Sequence, residues 1–190
     1  MTVHDDHQAF INAMSDVVPM KSSNKRHFSR PQNAKNATSP AVIRAESLLL
    51  SPLMLLPLTT EPEYRGRGMQ PGVMDRLRRG LYPPDGSLSL LRVPPEDARL
   101  QLIVFIDEVI RRGGRTLLII HGKSRETAGP ANVLRSYLMM WLPDLREVQA
   151  CCMASLRHGG SGALYVSLIK SEACRQENRE RFSGKTPGSG

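Results

Sequence analysis

The chain has 190 residues, room for one ordinary domain with extensions but not for two full cores. Its 26 Lys+Arg against 18 Asp+Glu give a formal net charge of +8, a balance that favours a polyanionic partner, either nucleic acid or an acidic membrane surface. Cys151, Cys152 and Cys174 form neither the even set of a disulfide framework nor a metal-ligand spacing, and the start MTVHDDHQAF has no basic-then-apolar leader, so reduced thiols and a cytoplasmic location are expected.

In chain order, Phe10, Ala13, Met14 and Val17 recur at helical spacing and predict a short amphipathic helix. Residues 21–40 are polar, basic and rich in Ser, Asn and Pro, which predicts disordered chain; residues 1–60 are read as an extension, a short helix followed by disorder. Its apolar run from Leu48 to Leu58 is broken by Ser51, Pro52 and Pro57 and is too short to span a bilayer. Residues 61–86 form a basic pre-domain segment in which Val73, Leu77 and Leu81 line one side of a short helix ended by Pro83 and Pro84.

The organised domain is read as 87–170. SLSLLRV predicts a strand, and PPEDA opens a helix with proline just inside and Glu96 and Asp97 in the first turn. Its stripe of Ala98, Leu102, Ile106, Val109 and Ile110 runs to a stop at Arg111-Arg112-Gly113-Gly114, with Asp107 and Glu108 on the solvated face. TLLII predicts a buried strand and Asn132 to Leu142 a second helix, in which Tyr137 and Trp141 belong to the core. EVQACCMAS and GALYVSLIK predict two more strands, with Cys151 and Cys152 on opposite faces. A charged helix and tail occupy 171–190. The order β-α-β-α-β-β predicts an α/β two-layer sandwich, a four-stranded mixed sheet with both helices on one face and ligands at the carboxyl ends of its strands.

Two loops carry the candidate chemistry. His121-Gly122-Lys123-Ser124-Arg125 brings a titratable histidine, a glycine that permits close approach and two cations to the end of a strand, with a helix opening behind it and Arg135 one turn in. Arg157-His158-Gly159-Gly160-Ser161-Gly162 holds more glycine than a hairpin needs. Placed at one end of the sheet, the two loops would share a patch able to grip phosphate and move protons. His121, His158 and Lys123 are the catalytic candidates, and Arg92, Gly122, Arg125, Arg135, Arg157, Gly159, Gly160, Ser161 and Gly162 join Lys123 as nucleic-acid contacts. No carboxylate cluster suits two metal ions, and Mg2+ is expected only if it arrives with the phosphate.

VPPEDARLQL, LIIHGKS, NVLRSYLMMWL and VQACCMASLRHGGSGALYVSLIK together resemble the small MutS-related (Smr) domain over about 87–170, and YRGRGMQPGVMDRLRRGLYPP and FINAMSDVVPMK resemble the segments that precede it in stand-alone bacterial proteins of the SmrA type. The resemblance implies a fold like the carboxyl-terminal domain of bacterial translation initiation factor three, nucleic-acid binding and, in several members, endonuclease activity on DNA or RNA. One departure bears on chemistry. Many Smr domains open with Leu-Asp-Leu-His-Gly, whose Asp and His are tied to cleavage; Leu88-Ser89-Leu90-Leu91-Arg92 stands in that place here. Leucine carries no proton and serine is no carboxylate. A monomeric DNA- or RNA-cleaving endonuclease is therefore weighed against a non-catalytic nucleic-acid- or ribosome-binding adaptor in which Arg92 is one more phosphate contact.

Overall fold

The structure, a computed structural model, describes residues 40–50 and 54–169. The amphipathic helix expected around Phe10 to Val17, the polar stretch before Pro40, Cys174 and the charged tail lie outside the described residues.

The chain runs α1 (Pro40–Glu46), β1 (Glu63–Arg65), α2 (Pro71–Arg78), β2 (Gly86–Ser89), α3 (Pro95–Arg111), β3 (Thr116–Ile120), α4 (Pro130–Asp144), β4 (Val148–Met153) and β5 (Ala163–Leu168). The class is mixed α/β. The sheet is ordered β1-β4-β5-β3-β2, with β2 parallel to β3 and every other neighbouring pair antiparallel. It therefore has five strands where the sequence predicted four. The extra one is short: Glu63, Tyr64 and Arg65 pair with Cys152, Cys151 and Ala150 at the open edge of β4. Three residues give no periodicity to read, and only the partner edge makes them a strand.

Alternation along each strand sorts the core into two clusters. Leu117, Ile119, Cys151, Leu164 and Val166 face α3 and α4 and pack on Leu102, Ile106, Leu138 and Trp141. Leu118, Cys152, Ala163 and Tyr165 point the other way and are covered by Met69, Met74 and Leu77 around α2. The expected sandwich thus holds on the main face, while α2 adds a partial layer behind it. β5 is central and covered on both sides, so all six of its residues are buried. Cys151 and Cys152 take opposite faces as predicted, and burial pushes both thiols up to about 12, which leaves them unreactive packing groups.

The segment 40–60 departs most from expectation. Ala45 and Leu48 enter the main core, and Arg44 pairs with Asp107 of α3 at 2.5 Å and with Glu147 at 3.1 Å, so Asp107 anchors α1 instead of merely facing water. Beyond α1 the chain straps the outer side of α4: Trp141 Nε1 donates to the Leu49 carbonyl (2.7 Å), the Tyr137 hydroxyl to Leu50, and Asn132 Nδ2 to Leu56 (2.9 Å), while the Leu56 amide donates to Ser136 Oγ (3.0 Å). Polar side chains on that helix face satisfy the strap's backbone groups.

α2 ends sooner than predicted. Gly80 turns it off at φ +67°, which leaves Leu81 exposed outside the helix. α3 starts at Pro95 and stops before Gly113 (φ +75°) as the sequence indicates.

Candidate nucleic-acid interface

β2 and β3 run parallel, so their carboxyl ends and the amino ends of α3 and α4 meet on one side of the molecule. Between them lies a groove of about 1160 Å³, walled by residues 91–95 after β2 and by 121–126 and 128–131 after β3. Arg92, Lys123 and Arg125 stand exposed along it, against one exposed acid, Glu126. The first turns of a 17-residue and a 15-residue helix add their positive ends. The floor and inner wall are apolar, with Leu90, Val93, Val133 and Leu134. Arg92 has φ +60°, a left-handed backbone that costs an L side chain about 1–2 kcal/mol.

His121 sits at the inner end of the groove but not on its surface. It follows Leu117 and Ile119 in the strand alternation, so it turns toward α4, and it is 2 % exposed. Burial, with the Arg135 guanidinium beside it, pulls its pKa down to about 4. The carbonyls of Gly122 and Ala131 pull weakly upward but neither is aligned as a hydrogen bond, and both ring nitrogens lack a partner. The ring is thus neutral at pH 7. It lines a second cavity of about 40 Å³ with Asn132, Arg135, Ser161 and Leu58.

The two glycine loops do meet. The amides of His121 and Gly122 both donate to the Gly162 carbonyl, at 3.0 and 2.9 Å. A β-carbon on Gly162 would lie 2.9 Å from Lys123 Cγ and 3.2 Å from the Gly122 carbonyl carbon, so only glycine lets the loops touch. Their histidines nevertheless part. His158 Nδ1 shares a 2.5 Å hydrogen bond with the Tyr165 hydroxyl, which also bonds Ser155 Oγ at 2.9 Å, and the two rings meet edge to face. Tyr165 belongs to the α2 side of the sheet. His121 and His158 therefore occupy opposite faces, and the shared two-histidine patch expected from the sequence does not form.

Two further expectations change for the same kind of reason. The sequence predicts that the glycines of the second loop contact nucleic acid, but the amides of Gly159, Gly160 and Gly162 donate to the Leu156, Ser155 and Gly159 carbonyls. The glycines serve the tight turns at φ +110° (Gly159) and +56° (Gly160) and the contact with Lys123. The sequence predicts Arg135 as a nucleic-acid contact. It is 4 % exposed and donates to the carbonyls of Pro57 (2.7 Å), Thr60 (3.2 Å) and Leu56 (3.4 Å), so it clamps the strap. Arg157 and Ser161 are exposed, Arg157 on the second loop beside His158. From the sequence, Asn132 marks only the start of a helix. It is 2 % exposed, and its position one turn before Arg135 was the sole hint that both point inward.

Comparison with known proteins agrees with this architecture. The Smr domain profile matches residues 88–169. The chain is 39% identical over 183 residues to a protein of Escherichia coli (strain K12) named "Probable DNA endonuclease SmrA", covering 96% of this chain and 98% of the relative. The chain belongs to the Smr domain family. A "Ribosome rescue factor SmrB" of Shewanella putrefaciens is 28% identical over 177 residues, covering 90% of this chain and 97% of that one. The crystal structure of YdaL, a stand-alone small MutS-related protein from Escherichia coli, superposes with a TM-score of 0.63 at 44% identity, covering 68% of this chain and 99% of that chain. In this Smr chain the altered opening motif ends at the groove. Leu88 and Leu90 are fully buried, Ser89 is half-buried, and Leu91 and Arg92 are exposed on its rim. Arg92 takes a left-handed backbone, a conformation glycine adopts most readily, and presents a cation at the rim.

Proposed function

We propose that this Smr protein is a cytoplasmic endonuclease that holds the phosphate backbone of a nucleic acid in the groove between the amino ends of α3 and α4 and cleaves a phosphodiester bond there. The observation that carries the reading is the convergence of Arg92, Lys123 and Arg125 with two helix amino termini on one groove. In this reading Lys123 and Arg125 offset the charge that develops on the scissile phosphate. Neutral His121, reached through the small cavity, takes the proton from an attacking water, and the imidazolium so formed returns it to the leaving oxygen as the phosphorus–oxygen bond breaks. A base titrating near 4 is weak, so turnover should be slow. Among the described residues no three His, Cys, Asp or Glu side chains group as metal ligands, so any Mg2+ would enter on the phosphate itself.

A second reading has its own support. His121 exposes almost no ring surface, and His158 is tied to Tyr165 on the other face, which favours an adaptor that grips nucleic acid or ribosome without cutting. A relative named as a probable DNA endonuclease supports the first reading, and relatives named as ribosome rescue factors support a ribosomal setting for either. Purified protein and its His121→Ala variant, incubated with circular DNA and structured RNA with and without chelator, decide between them. Cleavage lost in the variant establishes the nuclease, and binding without cleavage by either protein establishes the adaptor.

A further inference from the structure

The grip on phosphate leaves two features of the groove unused. Its floor is apolar, and Leu91 lies on its lip 53 % exposed, pressed against Gly122 so closely that a β-carbon there would stand 2.9 Å from it. Backbone phosphates need cations and amides but gain nothing from such a floor. Behind the floor, the cavity of about 40 Å³ shares His121, Gly122, Ser124 and Ala131 with the groove. Three of its lining residues carry buried side-chain atoms without hydrogen-bond partners: both ring nitrogens of His121, Asn132 Oδ1 and Arg135 Nε. Their owners are 2 %, 2 % and 4 % exposed. Buried polar groups in folded proteins are almost always paired, so such a cluster asks for a bound group.

The chemistry of that group follows from the donors and acceptors. The neutral imidazole offers one N–H and one lone pair, and Arg135 Nε offers an N–H. Asn132 Nδ2 donates to the carbonyls of Leu56 (2.9 Å) and Thr127 (2.7 Å), which fixes its Oδ1 as the acceptor on the remaining side. A phosphodiester only accepts hydrogen bonds and would leave Asn132 Oδ1, an acceptor, facing an anion. A nucleobase edge both donates and accepts, and its faces suit an apolar wall flanked by cations.

We propose that the groove is a nucleobase pocket. An unpaired base would lie against Leu91, Val93 and Val133 and turn its hydrogen-bonding edge toward His121, Asn132 and Arg135, with its own phosphates on Arg92 and Lys123. This inference rests on the reading of the groove as a nucleic-acid site and names its substrate class. The protein selects nucleic acid with a looped-out or single-stranded nucleotide, because a regular duplex keeps both the faces and the pairing edges of its bases occupied.

The test uses the full chain and three labelled duplexes of one sequence: fully paired, with one bulged adenine, and with an abasic site in place of the bulged adenine. Fluorescence anisotropy at one salt concentration is expected to show the bulged adenine binding about 10-fold more tightly than the abasic bulge, the scale of one stacked base. Leu91→Asp, a surface change whose folding is checked by thermal melting, should erase that difference. Lys123→Ala should weaken all three duplexes alike. 2-Aminopurine at the bulge gives a second readout on wild-type protein and should change its emission on binding. Equal affinity for base and abasic bulges, with unchanged 2-aminopurine emission, overturns the base pocket and leaves the phosphate grip standing. Failure to bind any of the three overturns the nucleic-acid reading as well.

Discussion

Protonation of His121 is the perturbation with the most legible consequence. The ring is 2 % exposed, and burial lowers its pKa from the ordinary value near 6.5 to about 4. Above pH 6.5 the ring is neutral in both folded and unfolded chains, so it contributes no pH dependence. As pH falls below 6.5 the unfolded chain takes up the proton, whereas the folded one does not until about pH 4. The unfolded state then binds more protons, and folding stability falls with pH across that window and levels off below it. At about 1.4 kcal/mol per pH unit, the gap between about 6.5 and about 4 is worth about 3 kcal/mol, a large share of a domain's stability. Urea melts of wild type and His121→Leu at pH 7, 5.5 and 4.5 isolate this contribution, since carboxylates elsewhere titrate in both proteins. The wild type should lose about 2.5 kcal/mol more than the variant between pH 7 and 4.5. A His121 ring titrating near 6.5 by NMR, or identical pH dependence in the two proteins, would refute the account of a buried neutral imidazole. The same pKa requires that any cleavage by wild type keep a flat pH profile from about 5 to 8, with no inflection near 6.5.

Other substitutions follow from the geometry. Arg92→Gly removes a side chain from a backbone at φ +60° and should stabilise the fold by about 1 kcal/mol in a urea melt while weakening nucleic-acid binding, an opposition that a merely structural arginine would not produce. Lys123→Ala should lower affinity evenly across sequences and reduce the slope of log K against log salt by about one, read by titration at several salt concentrations. Arg135→Met removes three hydrogen bonds to the strap and should cost about 3 kcal/mol, with earlier proteolysis between 54 and 60. His158→Ala leaves the Tyr165 hydroxyl with Ser155 as its remaining side-chain partner and should cost about 1 kcal/mol without changing cleavage, because the ring lies on the face away from the groove.

Much of the architecture is written in local sequence. The stripe from Ala98 to Val109, the proline at the start of α3 and Gly113 at its end specify that helix within a residue, because caps and periodicity act within one or two turns. TLLII specifies β3, and the adjacent cysteines divide between the two clusters by simple alternation. His-Gly-Lys at the end of that strand lies, as its position in the sequence indicates, beside the groove that opens there. Tertiary structure decided the rest. Whether a polar side chain meets water or backbone depends on segments far away in sequence: Arg135 and Asn132 turn inward because Leu56, Pro57 and Thr60 present carbonyls from about 75 residues earlier. β1 exists because β4 has an open edge, and α1 is held because Asp107 and Glu147 meet Arg44. The two histidines illustrate the division most plainly. Their loops are brought together by backbone hydrogen bonds to Gly162, yet the side chains leave on opposite faces. Strand parity sends His121 toward α4, and the contact with Tyr165 holds His158 on the other side. Sequence fixes which residues a strand end delivers. The faces they take, and the partners waiting there, belong to the fold.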